Sequence, residues 1–356
     1  MTKLKVCVLF GGISPEHEVS LRSAESVLNN MNPEKYEIYP VGITKNGSWI
    51  YFAGTDYAQL PTGQWEQCAF NCKAVISPER NQGLLFFRDD KITVQPIDVV
   101  FPVLHGENGE DGSMQGLLQM AGIPFVGPHA AESAVSMDKT LTKLVADNAG
   151  VTQAAWKLVY SKDLPHKLDM IVRAIEDRFE YPVFVKPAGT GSSVGVSKAT
   201  DVQQLCQALL HAAKYDSKIL VEEFIHGREI EVAVLGNDSP GASVCGEIDS
   251  GAEFYDYDAK YVTDTSVAYI PARIDDDVAE RVRELAVKVY TAVGCVGLSR
   301  VDFFVTHGSN RIVFNEINTM PGFTSISMYP KLFAASGIAY SDLIDDLIRL
   351  ALEAGI

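Results

Sequence analysis

A short apolar run, Leu4–Phe10, stops at Gly11-Gly12, and Leu21, Ala24, Val27, Leu28 and Met31 then recur at helical spacing. A strand that ends in a glycine turn and leads into an amphipathic helix buries its surface best in a parallel α/β sheet covered by that helix. Strand-like runs at 37–44 and 98–104 supply neighbours for it. No other pattern in the chain limits the fold as much. It also places the group Gly11-Gly12-Ile13-Ser14-Pro15-Glu16-His17-Glu18 at the C-terminal end of the first strand, where open α/β sheets bind ligands. The glycines lack the GxGxxG spacing, so a dinucleotide fingerprint is not supported. Residues 45–95, rich in Gly, Asn, Gln and aromatics, read as a peripheral insertion or hairpin.

The chain has 356 residues, enough for two or three domains with cores of their own. A net charge of −16 argues against a broad nucleic-acid or anionic-membrane surface, since both need a positive field. It leaves room for one small anion in a local basic pocket. Cys7, Cys68, Cys72, Cys206, Cys245 and Cys295 are scattered, and the Cys68/Cys72 pair matches no common zinc spacing; they read as reduced thiols of a cytosolic protein. Lys3 and Lys5 before Val6–Phe10 resemble a weak signal peptide, but charged residues follow at once and no small-residue cleavage site is present, so a buried strand is expected instead. No apolar run reaches the roughly 18 residues of a membrane span.

Further along, 139–149 reads as a helix with Leu141, Leu144 and Val145 on its apolar face and Gly150 at its end. A helix is expected over 168–179, a strand over 182–186, a glycine-punctuated loop through Gly189, Gly191 and Gly195, a helix over 201–214 and a strand over 219–223. The strand Glu229–Leu235 opens the last third. Residues 249–268 form a long polar segment rich in Tyr and Asp, of the kind that is usually functional or disordered. A helix stripe follows through Ala279, Val282, Leu285, Ala286, Val289 and Tyr290, with acids at 275–277 and Gly294 closing it. Strands near 299–306 and 311–318 are joined by a turn at 307–310.

That last hairpin carries the most chemistry. Strand side chains alternate, so Arg300 and Asp302 share one face, as do Glu316 and Asn318. A turn centred near Ser309 pairs Asp302 with Glu316 and Arg300 with Asn318. Directly opposed carboxylates have Cβ atoms about 5 Å apart, which destabilises a sheet unless a cation lies between them. Two carboxylates and an amide oxygen suit Mg²⁺ that keeps waters and phosphates as further ligands. The alternative, an exposed hairpin with screened charges, fits poorly with Phe303, Phe304, Val313 and Phe314.

Other features are weaker alone. Lys186 followed by 187–195 can wrap phosphates, although Lys precedes the glycines, so this is no Walker A loop; an ordinary flexible loop is the alternative. Glu222 and Glu223, followed by Glu229 and Glu231, could hold an adenine amino group and ribose hydroxyls, or could be a plain acidic sheet edge. Residues 104–112, with three glycines and many polar groups after a strand, read as a site wall or a surface turn.

Together and in order, GGISPEHEVS (11–20), LHGENGEDGSMQG (104–116), MDK (137–139), FVKPAGTGSSVGVSK (184–198), VEEFIHGREIEVAVLGN (221–237), EFYDYDAKY (253–261), SRVDFF (299–304) and NEINTMPGFTSISMYP (315–330) resemble the D-alanine–D-alanine ligases of the ATP-grasp superfamily over essentially the whole chain. The resemblance implies an ATP-grasp fold: a parallel, Rossmann-like α/β substrate domain (1–137), then two α+β domains (138–225 and 226–356) that sandwich ATP. It implies that Lys139 and Lys186 contact the ATP phosphates, Glu222 the adenine amino group, the backbone near Phe224 the adenine ring, Glu229 the ribose and Lys260 the γ-phosphate. Ser193, Glu223, Ile225 and Phe304 are implied as further nucleotide contacts. Asp302, Glu316 and Asn318 are implied ligands of two Mg²⁺ or Mn²⁺ ions. Glu16 is implied to anchor the first D-alanine with His105 nearby, linked to Ser192 and Tyr261. Arg300 and Gly322 are implied to stabilise the oxyanion, and Ser327, with Met328 beside it, to bind the second substrate.

The reaction so implied is ATP-dependent joining of two D-alanines through a D-alanyl phosphate, for peptidoglycan precursors, by a cytoplasmic enzyme that is expected to be a homodimer. An apolar Met328 and an intact Lys260-Tyr261 favour D-alanine over D-serine or D-lactate as second substrate. A D-alanine–D-serine ligase or another ATP-grasp carboxylate–amine ligase is the nearest alternative. A non-catalytic nucleotide-binding regulator should have lost one of Lys186, Asp302, Glu316 or Asn318, and all four are present. A small-molecule kinase would leave phosphate on its product.

Overall fold

A computed structural model describes residues 2–249 and 267–355. Its first sheet runs β6-β5-β4-β3-β2-β1-β7, with β1 Leu4–Gly11, β2 Tyr36–Ile43, β3 Trp49–Tyr51, β4 Cys72–Ile76, β5 Leu84–Arg88, β6 Lys91–Gln95 and β7 Val99–Leu104. β1 is parallel to both of its neighbours, β2 and β7, and Val6–Phe10 are wholly buried, as expected of a central strand covered on both faces. The segment 45–95 is more than a loop: its four strands pair antiparallel and extend the sheet outward from β2. Helix α1 (His17–Asn30) buries the predicted stripe Leu21, Ala24, Val27 and Leu28. It also buries Ser20 and Ser23. The Ser20 hydroxyl donates to the Val103 carbonyl and accepts from the Gly11 N–H, which pins the glycine turn to β7.

The second sheet, β10-β9-β11-β8, is antiparallel, with β8 Trp156–Tyr160, β9 Val183–Pro187, β10 Ser197–Ala199 and β11 Lys218–Glu223. Its core takes Val172 and Ile175 from one helix (Leu164–Glu176) and Leu205, Ala208 and Leu209 from another (Val202–Ala212). The first of these helices begins four residues before the expected 168, with Pro165 in its opening turn and a backbone break at Lys167. The third sheet is also antiparallel, β14-β13-β12-β15-β16, with β12 Gly227–Leu235, β13 Gly241–Asp249, β14 Val267–Tyr269, β15 Leu298–Thr306 and β16 Ile312–Asn318. A helix over Asp276–Val293 buries the expected Val282, Ala286, Val289 and Tyr290 against it. Helices Met328–Ala335 and Tyr340–Ala354 join the third sheet to the first: Leu332, Phe333, Leu343, Ile344 and Leu347 share one apolar core with Val6, Val8 and Phe10.

The helix Lys139–Asn148 differs from its expected orientation. It buries Thr140, Thr142, Lys143 and Ala146, while Leu141 and Leu144 are exposed, Leu144 by 55%. Asp138 caps it by accepting from the Thr140 and Leu141 N–H groups. Two contacts set the face: Ala146 joins the core of the third sheet, and Lys143 reaches a buried carboxylate.

Candidate active site

The final hairpin has the register the alternation predicts. Asp302 lies opposite Glu316 and Arg300 opposite Asn318, with a bulge just beyond Asp302. On the other side of β15, Glu231 lies opposite Asp302, so three carboxylates run side by side across three strands. Arg300 answers this charge. Its Nε and Nη2 bind the two Asp302 oxygens at 2.8 and 2.7 Å, and its Nε lies 3.2 Å from Glu231. Burial disfavours the guanidinium charge, but Asp302 and Glu231 outweigh burial and hold Arg300 protonated. The Asn318 amide donates to Asp302 Oδ2 at 3.0 Å. Among the described residues no three His, Cys, Asp or Glu side chains gather to hold a metal by themselves. Asp302, Glu316 and Asn318 fit a hard cation that takes its remaining ligands from water and phosphate.

Above the hairpin is a cavity of about 600 Å³, between the second and third sheets. Its wall includes Lys139, Lys186, Ser192, Ser193, Glu222, Glu223, Phe224, Ile225, Glu229, Phe304, Glu316 and Asn318, so residues far apart in sequence converge on it. Lys186 and Glu222 project to the same face of adjacent strands and meet at 2.6 Å. The other Glu222 oxygen meets Lys143 at 2.5 Å. Burial alone would push the Glu222 carboxyl up, but the two ammonium groups outweigh it and hold it at about 2. This disposes of the plain acidic edge for Glu222. Glu223 has a structural share: it accepts from the Ala155 N–H at 2.9 Å. Lys139 donates to the Thr190 carbonyl at 2.7 Å and lies 3.6 Å from Glu316. Phe184 and Phe224 face each other at 5.9 Å, with Lys198 over Phe224.

The glycine-rich loop reaches the turn after β1. Ser192 and Ser193 take left-handed backbone conformations, and the Ser192 hydroxyl donates to Glu16. Glu16 is squeezed between backbones: a Cβ at Gly191 would come within 3.0 Å of its carboxylate, and one at Gly106 would collide with it. Glycine is needed at Gly106, where the backbone is also left-handed, while a side chain at Gly191 would press the Glu16 carboxylate aside. His105 is buried, its Nε2 3.1 Å from Ser23 Oγ and its Nδ1 3.0 Å from the Met320 carbonyl. Burial lowers its pKa against the opposing pull of Glu16.

Glu16, His105, Arg300, Asp302, Gly322, Ser327 and Met328 are not in the main cavity wall. Glu16 connects to it through Ser192, and Arg300 and Asp302 sit on the strand beside Glu316. Ser327 Oγ accepts from the Thr324 N–H at 3.0 Å, and a Cβ on Gly322 would lie 2.7 Å from that oxygen. Met328 is buried among Phe323, Tyr329 and Leu332 with its methyl end against Gly246, so packing by itself accounts for its apolar character. Lys260 and Tyr261 lie outside the described residues.

Two residues escaped the sequence reading. Lys143 stands one helical turn after Lys139, a spacing that could have signalled a second inward cation. Glu110 lines the cavity, accepting from the Gly106 N–H at 2.7 Å and the Met320 N–H at 3.4 Å. Its second partner is 210 residues away, so no local pattern announces it.

Two family models match: D-ala D-ala ligase N-terminus over residues 5–128 and D-ala D-ala ligase C-terminus over 145–349. A D-alanine–D-alanine ligase of Caldicellulosiruptor bescii is 51% identical over 99% of this chain and 96% of its own length, and one of Acetivibrio thermocellus is 49% identical with the same coverage. Among solved structures, the VanG D-Ala:D-Ser ligase from Enterococcus faecalis superposes with a TM-score of 0.89 at 40% identity, covering 98% of this chain and 100% of that one. The D-alanine-D-alanine ligase from Coxiella burnetii gives 0.86 at 33% identity, covering 99% and 95%.

Proposed function

The chain belongs to the D-alanine–D-alanine ligase family of ATP-grasp enzymes, and on that footing we propose how its residues divide the work. The reaction is ATP-dependent joining of two D-alanines, with use of a divalent metal. The carboxylate of the first D-alanine attacks the γ-phosphorus and ADP leaves. The amine of the second, having lost a proton, attacks the acyl carbon of the D-alanyl phosphate, and phosphate departs as the peptide bond closes.

Lys139 and Lys186 take the phosphates, Glu222 the adenine amino group, Glu229 the ribose, and Ser193, Glu223, Phe224, Ile225 and Phe304 complete the nucleotide site. Lys260 reaches the γ-phosphate. Asp302, Glu316 and Asn318 hold two Mg²⁺ or Mn²⁺ ions, which supply charge neutralisation at the transferring phosphoryl group. Glu16 holds the first ammonium in a set with Ser192 and Tyr261, beside His105. Arg300 and the Gly322 N–H meet the oxyanion as it forms. Ser327 binds the second carboxylate. The register of Asp302 against Glu316 carries this reading, because it puts Glu316 on the cavity wall with Lys139 and Lys186, and Asp302 on the strand beside it, where a polyphosphate and its metal would lie.

The domain division 1–137, 138–225 and 226–356 belongs to the same proposal, with helix Lys139–Asn148 leaning on the third sheet's core through Ala146. No described helix is long and apolar enough to cross a membrane. We assign the enzyme to cytoplasmic peptidoglycan precursor synthesis, as a homodimer. The likeness to a D-Ala:D-Ser ligase keeps D-serine as a second reading for the amine substrate. ADP release with D-alanine, D-serine or D-lactate, with product masses, separates these. No ADP from D-alanine, ATP and Mg²⁺ overturns the main reading.

A further inference from the structure

Lys143 is the most enclosed lysine among the described residues, only 2% exposed, and it is absent from the cavity wall that Lys139, Lys186 and Glu222 help form. It stands behind Glu222 as seen from the cavity. Its Nζ meets Glu222 Oε1 at 2.5 Å while Lys186 takes Oε2 at 2.6 Å. One buried carboxylate therefore has two cations, one facing the ligand space and one sealed away from it. Lys186 has a second contact, 3.4 Å to Asn315 Oδ1, on the side of the metal hairpin. The backbone of Lys143 is fastened too: its carbonyl accepts from the Gln153 amide at 2.9 Å.

A single lysine would satisfy a single carboxylate. The second becomes necessary if the first is borrowed. We propose that Lys143 is a positioning residue for base selectivity: it keeps Glu222 charged and fixed as a hydrogen-bond acceptor while Lys186 turns to a nucleotide phosphate. The proposal rests on the reading that Glu222 meets the adenine amino group and Lys186 a phosphate. With Lys186 withdrawn and no Lys143, a carboxylate this buried would take up a proton. An ionised carboxylate only accepts hydrogen bonds, whereas a protonated one also donates. Adenine offers an amino donor where guanine offers a carbonyl acceptor. Holding the charge on Glu222 thus admits ATP and rejects GTP, and Lys143 does so without touching either.

The test measures steady-state kinetics with ATP and GTP, at saturating D-alanine and Mg²⁺, for the full chain and for Lys143→Met, Lys143→Arg and Glu222→Gln. For Lys143→Met the KM for ATP should rise and the ATP-over-GTP preference in kcat/KM should narrow, each by about tenfold, the discrimination one well-made hydrogen bond supplies. The KM for D-alanine should stay within about twofold, since no substrate contact changes. Lys143→Arg, which keeps the charge, should retain most of the preference. Glu222→Gln should narrow it as far as Lys143→Met, and the double variant no further, because the two act as one unit. If Lys143→Met keeps the preference while Glu222→Gln loses it, the role of Lys143 is overturned and the adenine contact stands. If Glu222→Gln keeps it, the adenine contact itself falls. Should Lys143→Met not fold, the Glu222→Gln protein with and without Lys143→Met decides, a further narrowing in the double variant counting against the proposal.

Discussion

Glu222 and Glu110 look into the same cavity, and their carboxyls are shifted in opposite directions. Glu222 is buried between two ammonium groups and is held at about 2. Glu110 is half-buried, and its partners are two backbone N–H groups. Burial together with the charge of Glu16 pushes it up to about 8; Arg300 pulls the other way but loses. Burial pushes both carboxyls up, so burial does not distinguish them. What differs is whether a full positive charge touches the oxygen. Two ammonium ions in contact overcome desolvation, and two N–H dipoles with a neighbouring anion do not. The cavity thus has a fixed negative group on β11 and a group close to neutrality in the turn after β7, beside Met320.

The sharpest way to break this contrast is to take the charge from Glu222. Glu222→Gln leaves the sealed Lys143 ammonium and the cavity-facing Lys186 without their anion and should lower stability by about 3–5 kcal/mol. Adding Lys143→Met should recover much of that loss, since an ion pair replaced as a whole is often neutral. Urea or thermal unfolding of the two single variants and the double one checks both statements. A Glu222→Gln protein as stable as its parent would mean that the pairing contributes nothing.

A smaller effect is expected at Glu110, with the opposite pH signature. Its folded pKa stands above the ordinary value of 4.5, so the folded state binds its proton more tightly than the unfolded state does. The resulting stability is complete below about pH 4.5 and is lost as pH rises toward 8. Glu110→Gln should remove that slope and be more stable than the parent at pH 8.5 by about 1–3 kcal/mol. For Glu222 the sign reverses: its contribution is complete above 4.5 and is lost as pH falls toward 2. Unfolding free energies taken from pH 2 to 9 read both, and parallel curves for the parent and Glu110→Gln would remove Glu110 from the comparison.

These two residues also mark how far the sequence could be read. The hairpin register was legible because strand alternation and one turn fix which side chains oppose each other, and Asp302 against Glu316 follows from counting. The first strand, its glycine turn and the stripe of α1 were legible for the same local reason. The face of Lys139–Asn148 was misjudged because apolar spacing cannot see an ion pair. Leu141 and Leu144 make the better stripe on paper, but a carboxylate on another strand draws Lys143 inward. The packing of Met328 was not legible because Gly246, against which it lies, is on β13, a strand not anticipated. The four strands within 45–95 are short, and their pairing rests on β2, which local composition does not encode. Glu110 was visible only as one polar residue among several in a glycine-rich turn.

The smallest effect belongs to Glu223, the neighbour of Glu222 on the same strand. Successive strand residues point to opposite faces, so Glu223 turns away from the lysines that hold Glu222. Its side chain is 38% exposed and lies 3.7 Å from Arg311, itself about half exposed. An ion pair that open to solvent is screened and contributes only about 0–1 kcal/mol. Its tie to the Ala155 N–H at 2.9 Å needs an oxygen acceptor, not a charge, and Gln keeps that oxygen. Glu223→Gln should therefore cost under about 1 kcal/mol of stability, the range of exposed pairs. If it proved as costly as Glu222→Gln, the charge of the acidic pair as a whole would matter more than contact with Lys143 and Lys186. A near-silent Glu223→Gln beside a severe Glu222→Gln would show that one step along the strand separates a solvated carboxylate from one the cavity depends on.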